Sequence, residues 1–170
     1  KPVLGPEVGN VIERILAGHV PDKKSHTSPL KFNGEEVPAL RVLVAEDTPA
    51  NQVLIERILA RRGHKVKIVE NGQDAVVAAE TNQFDVILMD VQMPVMGGLE
   101  AAEAIRAQMR RDHRRVPIVA LTAHAMQGDE RRCLDAGMDA YVTKPIDVRK
   151  LIELVEHVGR TSPAPLPHLN

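Results

Sequence analysis

Aromatic side chains are nearly absent from this sequence, which has no Trp, one Tyr and two Phe among 170 residues. A hydrophobic core must therefore be filled by Val, Ile, Leu, Met and Ala. Cysteine is equally scarce. Cys133 stands alone, which excludes an internal disulfide and suits a reducing compartment. Neither sign of charge dominates, since 22 basic and 23 acidic residues leave a formal charge of -1. That balance gives no electrostatic reason to expect nucleic acid as a partner, and the arginines from Arg106 to Arg115 lack the aromatic company of a base-stacking surface. No apolar run approaches the ~18 residues needed to cross a bilayer, and no signal peptide is visible. The sequence opens at Lys1 rather than Met, so it reads as a piece of a longer protein. The expected location of this piece is cytoplasmic, without direct membrane contact, whatever anchors its parent. A G-x-x-x-x-G-K phosphate loop, a Ser-His-Asp triad and a zinc motif are all missing, and the seven His show no metal-ligand spacing.

What is present, 44% apolar and 26% charged residues, describes a globular chain with room for one ordinary domain and an appendage. From Leu40 onward, short apolar runs alternate with amphipathic stretches. The runs cover residues 40–45, 65–69, 84–89, 116–121 and 140–142. Most are β-branched and nearly uninterrupted, as in strands buried on both faces of a parallel sheet. Between them, Asn51 to Arg62 sets Leu54, Ile55, Ile58 and Leu59 on one helical face and stops at Gly63. Gly72 to Thr81 is Ala-rich. Leu99 to Arg110 buries Leu99, Ala102 and Ile105, while Arg106, Arg110 and Arg111 suit a solvated helix C-terminus. Asp129 to Ala136 stops at Gly137, and Val148 to Val158 repeats Leu151, Leu154, Val155 and Val158 at helical spacing. Five strands alternating with five helices predict a doubly wound α/β fold. Right-handed crossovers make strand order 2-1-3-4-5 one of two common solutions.

In such sheets the working residues stand beyond the carboxyl ends of the strands. The first run is followed by Glu46 and Asp47, the third by Asp90, the fourth by Thr122 and the fifth by Lys144-Pro145. With strands one and three adjacent, three carboxylates share one crevice and repel unless a cation joins them. Mg²⁺ takes hard oxygen ligands and meets that need. Lys144 adds a compact positive charge and Thr122 a hydroxyl donor. An aspartate so placed is a competent nucleophile toward an activated phosphoryl group.

Val44-Ala45-Glu46-Asp47, Met89-Asp90-Val91-Gln92-Met93-Pro94-Val95-Met96-Gly97-Gly98, Ala120-Leu121-Thr122-Ala123-His124-Ala125 and Tyr141-Val142-Thr143-Lys144-Pro145 together resemble the response-regulator receiver family. The similarity runs from about Leu40 to Gly159. It implies a flavodoxin-like (βα)5 fold, with a parallel five-stranded sheet ordered 2-1-3-4-5. It also implies that Asp90 accepts a phosphoryl group from a phosphohistidine domain and that the domain catalyses its own phosphorylation and dephosphorylation. Asp47, Asp90 and the Gln92 carbonyl would bind Mg²⁺, with Glu46 acting through water. Lys144, Thr122 and the Ala123 N–H would hold the phosphoryl oxygens. Tyr141 resembles the aromatic switch of the fourth-helix, fifth-strand and fifth-helix surface, and the Lys144-Pro145 bond would be cis. Gln92 and His124 would flank the phosphoryl group and tune its hydrolysis. Glu46 departs from the commoner Asp-Asp pair.

Before this domain, which is expected over residues 39–159, Lys1-Pro2-Val3 with Val8, Val11, Ile12, Glu13 and Ile15 matches Lys144-Pro145-Ile146 with Leu151, Leu154, Val155, Glu156 and Val158 at a constant offset. Residues 1–18 thus read as the last helix of an upstream receiver, beside the blander reading of an unrelated helix. Residues 19–38 read as a polar linker and 160–170 as a Pro-rich tail. Glu46-Asp47-Thr48-Pro49-Ala50-Asn51-Gln52 is similar to receivers of hybrid sensor histidine kinases, which would make the parent a histidine kinase. A homodimer through the N-terminal helix or the switch surface is the second partner expectation. Two other functions compete: a Mg²⁺-dependent phosphatase of the haloacid dehalogenase type, and an interaction module that is never phosphorylated. The phosphatase needs a carboxylate two residues after the nucleophile, where this chain has Gln92.

Overall fold

The protein is seen in a computed structural model that describes residues 38–123 and 127–161. Its elements alternate along the chain: β1 (Arg41–Ala45), α1 (Pro49–Arg61), β2 (Lys65–Val69), α2 (Gly72–Thr81), β3 (Val86–Asp90), α3 (Gly98–Arg111), β4 (Ile118–Thr122), α4 (Gln127–Asp135), β5 (Ala140–Thr143) and α5 (Val148–Thr161). The strands form one parallel sheet in the order β2-β1-β3-β4-β5, as expected. The expected N-terminal helix and linker, residues 162–170 and His124 lie outside the described residues. The last helix continues past Gly159 to Thr161.

Strands β3 and β4 are buried along their whole length, so both faces must be apolar. Strand β2 differs. It lies at the sheet edge, with Lys65 and Lys67 exposed and Val66 and Ile68 half-buried, so the expected burial on both faces does not hold there. Edge lysines also discourage pairing with another chain. One face of the sheet packs Leu43, Ala45, Ile87, Met89 and Ile118 against alanines of α2 and α3, among them Ala75, Ala79, Ala101 and Ala102. These alanines let the helices approach the sheet closely, while Phe84 and Tyr141 pack against the same cluster. Helices α1 and α5 contribute Ile55, Ile58, Leu59, Leu151, Leu154 and Val155 to the core. Leu54, expected on that buried face, is 41% exposed because the contact stripe of α1 is narrower than its apolar one.

Arg106 corrects a second expectation. It is not part of a solvated helix end but is buried, and its guanidinium ties three segments together. Nε donates to Gly137 O and Nη1 to Val116 O, each at 2.7 Å, while Nη2 pairs with Asp139. Asp139 also accepts from the Ile118 N–H at 2.8 Å and pairs with Arg115. Gly137, at φ +90°, turns the chain beneath this side chain, and a Cβ there would stand 2.9 Å from Arg106 Cγ. At the start of β1, the buried His64 accepts the Leu40 N–H through Nδ1 at 3.2 Å. Its Nε2 faces Glu156 at 3.5 Å, and Arg62 Nε holds the same carboxylate at 2.7 Å.

Candidate functional site

The carboxyl ends of the central strands carry the polar residues that the sequence singled out. Glu46 extends β1 by one ladder bond, its N–H donating to Val69 O at 3.1 Å. Asp90 closes β3 in register with Leu121, and Thr122 closes β4 in register with Thr143. The Lys144 N–H then donates to Thr122 O at 2.7 Å, which starts the lysine side chain beside β4. Gly98 permits the return of the chain over β3, because a Cβ there would collide with Asp90 O. The Lys144-Pro145 bond is cis.

Lys144 Nζ lies 2.5 Å from Asp90 Oδ2 and 2.8 Å from Glu46 Oε2. Asp90 Oδ1 accepts the Gln92 N–H at 3.0 Å. Glu46, Asp47 and Asp90 each offer an oxygen within 4.8 Å of the other two. Glu46 and Asp90 are buried, and Asp47 is exposed at the rim. Burial pushes the Asp90 pKa up and the neighbouring Glu46 charge adds to it, against the opposing pull of Lys144 and the Gln92 N–H. Burial pushes Glu46 the same way, but the Lys144 ammonium and the Asn51 amide outweigh it and leave Glu46 below its ordinary value. For Lys144, burial favours the neutral form, yet its bonds to Asp90 and Glu46 hold its pKa above the ordinary value.

One ammonium against three carboxylates leaves a negative excess in this crevice. Glu46 Oε2 is buried and has no aligned hydrogen-bond donor, since Lys144 approaches it closely but off the bonding direction. A buried carboxylate oxygen with no aligned donor, among other hard oxygen ligands, fits a hard divalent cation such as Mg²⁺.

Thr122 is buried and shares a cleft with Gln92, Gly97, Glu100 and Arg132. The Gln92 side chain and Ala123 are exposed. Tyr141 is half-buried, with its ring against the core cluster. Burial and the hydrogen-bonded Glu130 carboxylate both raise its pKa. Three further contacts to Glu46 went unread in the sequence. Asn51 Nδ2 and the Thr48 N–H donate to Oε1 at 3.0 and 3.2 Å, and Gln52 Nε2 donates to the Glu46 carbonyl at 2.7 Å. Pro49 at the first helical position starts α1 before Asn51, which brings both amides back to the strand end.

The response regulator receiver domain profile matches residues 42–156. The sensor histidine kinase GacS of Pseudomonas protegens is 42% identical over 151 residues, which are 88% of this chain and 16% of that protein. The sensor protein GacS of Pseudomonas syringae pv. syringae is 50% identical over 118 residues, 69% of this chain and 13% of that protein. The chain thus spans under a fifth of the length of these relatives. Among solved structures, the receiver domain of a Pseudomonas aeruginosa sensor histidine kinase, with magnesium coordinated in its active-site cleft, is 41% identical at a TM-score of 0.66. It covers 72% of this chain and 99% of its own. A co-crystal structure of the Saccharomyces cerevisiae phosphotransfer protein Ypd1 with the receiver domain of Ssk1 matches at a TM-score of 0.70 and 34% identity, over 73% of this chain and 91% of that one. Among the described residues no helix is long and apolar enough to cross a membrane.

Proposed function

The chain belongs to the response regulator receiver domain family, and from that premise we propose that Asp90 takes a phosphoryl group from a phosphohistidine in a phosphorelay. The observation that carries this is the single ammonium group of Lys144 held between Asp90 and Glu46 inside a cluster of three carboxylates. An Asp90 oxygen attacks the phosphorus, the P–N bond to the donor imidazole breaks, and its electron pair stays on the ring nitrogen. Lys144 keeps a positive charge beside the new acyl phosphate, and the Thr122 hydroxyl and Ala123 N–H donate to its oxygens. Glu46, Asp47, Asp90 and the Gln92 carbonyl are the groups to hold Mg²⁺, which when bound supplies neutralising charge for the phosphoryl oxygens. Hydrolysis reverses the modification: water attacks phosphorus and Asp90 departs as carboxylate, at a rate that Gln92 and His124 are proposed to tune.

Movement of Thr122 toward the phosphoryl group makes room for Tyr141 to turn inward, which re-forms the α4–β5–α5 surface. The Ssk1–Ypd1 structure supports a histidine phosphotransfer domain as the partner. The two GacS relatives support a hybrid sensor histidine kinase as the parent. Residues 1–18 as part of a second receiver, and a homodimer through that helix or the switch surface, complete the proposal. A haloacid dehalogenase mechanism is disfavoured because Gln92 offers no general acid two residues after Asp90.

Incubation with acetyl phosphate and Mg²⁺, followed by intact mass measurement, tests the assignment. A gain of one phosphoryl group is expected, and Asp90→Asn should abolish it. A gain that persists in the variant would overturn the assignment.

A further inference from the structure

We propose that Asn51 is a positioning residue for the metal site, holding one oxygen of Glu46 so that the other alone faces the cation. The proposal rests on the assignment of Glu46 to the Mg²⁺ site. Glu has one more rotatable bond than the Asp more common at this place, and its carboxylate torsion is intrinsically loose. Bulk solvent does not set that torsion, since Glu46 is 0% exposed. The first turn of α1 does so instead. Asn51 Nδ2 at 3.0 Å and the Thr48 N–H at 3.2 Å both point at Oε1, and Gln52 Nε2 fixes the Glu46 carbonyl at 2.7 Å. Oε2 is left turned toward Lys144 without an aligned donor, with a lone pair available to a bound ion or its water. Without the Asn51 amide, Glu46 could rotate to pair more fully with Lys144, drawing the ammonium from Asp90 and withdrawing Oε2 from the cation. Groups that orient ligands in this way are worth about ten- to a hundredfold in metal affinity when removed.

Calorimetric titration of Mg²⁺ into the full chain, with Asn51→Ala, Glu46→Asp and the double variant beside it, tests the idea. Asn51→Ala should weaken Mg²⁺ binding about tenfold. In labelling by acetyl phosphate it should raise the half-saturating Mg²⁺ by the same factor and leave the rate at saturating Mg²⁺ nearly unchanged. In the Glu46→Asp background the shorter side chain no longer reaches the amide, so Asn51→Ala should add little. Unchanged Mg²⁺ affinity in Asn51→Ala would overturn the positioning role while the site assignment stands. An equal loss with and without the Glu46→Asp change would overturn it too, because that loss would then come from α1 as a whole. A wild-type chain that takes up no Mg²⁺ would overturn the site assignment, and this role with it.

Discussion

Replacing Lys144 with Met keeps the length of its stem and removes the charge that joins two buried carboxylates. Glu46 is 0% exposed and Asp90 4%, so water replaces the lost ammonium poorly. Breaking a buried ion pair costs about 3–5 kcal/mol. The lower end applies here, because the Lys144 side chain is 21% exposed and Asp47 opens the rim to solvent. A loss of about 3 kcal/mol in EDTA at pH 7 lowers a urea midpoint by roughly 1.5 M at a slope of about 2 kcal/mol/M. The pH dependence has a defined sign. Without the ammonium, one carboxyl of the pair keeps a proton to higher pH in the folded chain than in the unfolded one. The variant therefore recovers stability as pH falls from 7 toward 5, by up to about 1.4 kcal/mol per pH unit for each proton. Saturating Mg²⁺ at pH 7 should restore part of the loss, since it neutralises the same pair. Far-ultraviolet circular dichroism can follow the unfolding, as the chain has no Trp. Wild-type stability of Lys144→Met in EDTA at pH 7 would refute the electrostatic coupling.

Arg106→Ala removes donors to Gly137 O and Val116 O and one partner of Asp139, and should cost about 3–5 kcal/mol in urea unfolding. A change below about 1 kcal/mol would show that Arg106 is not a structural clamp. His64 gives a second pH signature. Burial holds its pKa below the ordinary value, against the pull of Glu156, and protonated Nδ1 could not accept the Leu40 N–H. The unfolded chain takes the proton first, so this contribution is full above about pH 6.5 and falls as pH drops below it. His64→Gln should flatten urea midpoints between about pH 7 and pH 5, and an unaltered slope would contradict this origin. Gly98→Ala drives a Cβ into Asp90 O, which must displace the β3 end. Mg²⁺ titration should show loss of binding, and wild-type affinity would count against the close approach.

Much of the fold was visible because nearly every strand end carries a polar residue after an apolar run, and four such ends in order constrain the sheet. Burial was less legible. Lys65 and Lys67 alternate with Val66 and Ile68, which is an edge signature masked by a mostly β-branched run. Arg106 looked like helix-end charge, although it continues the stripe of Ala102, Ile105 and Met109 that faces the core. That periodicity was the available signal for a buried arginine. Asn51 gave none by itself, because its role depends on α1 starting at Pro49 and folding its first turn back onto Glu46. The Glu46, Asp47 and Asp90 cluster was legible since parallel order alone places β1 beside β3. How Lys144 divides its charge between Glu46 and Asp90 depends on side-chain reach, which residue spacing does not contain.

Chemical location of the phosphoryl group decides the matter most directly. Labelling the chain with acetyl phosphate and Mg²⁺, reducing the acyl phosphate with borohydride and sequencing the peptides by mass should find homoserine at position 90, with Glu46 and Asp47 unaltered. Reduction at either of those carboxylates instead, or a label that resists borohydride, would contradict phosphorylation of Asp90.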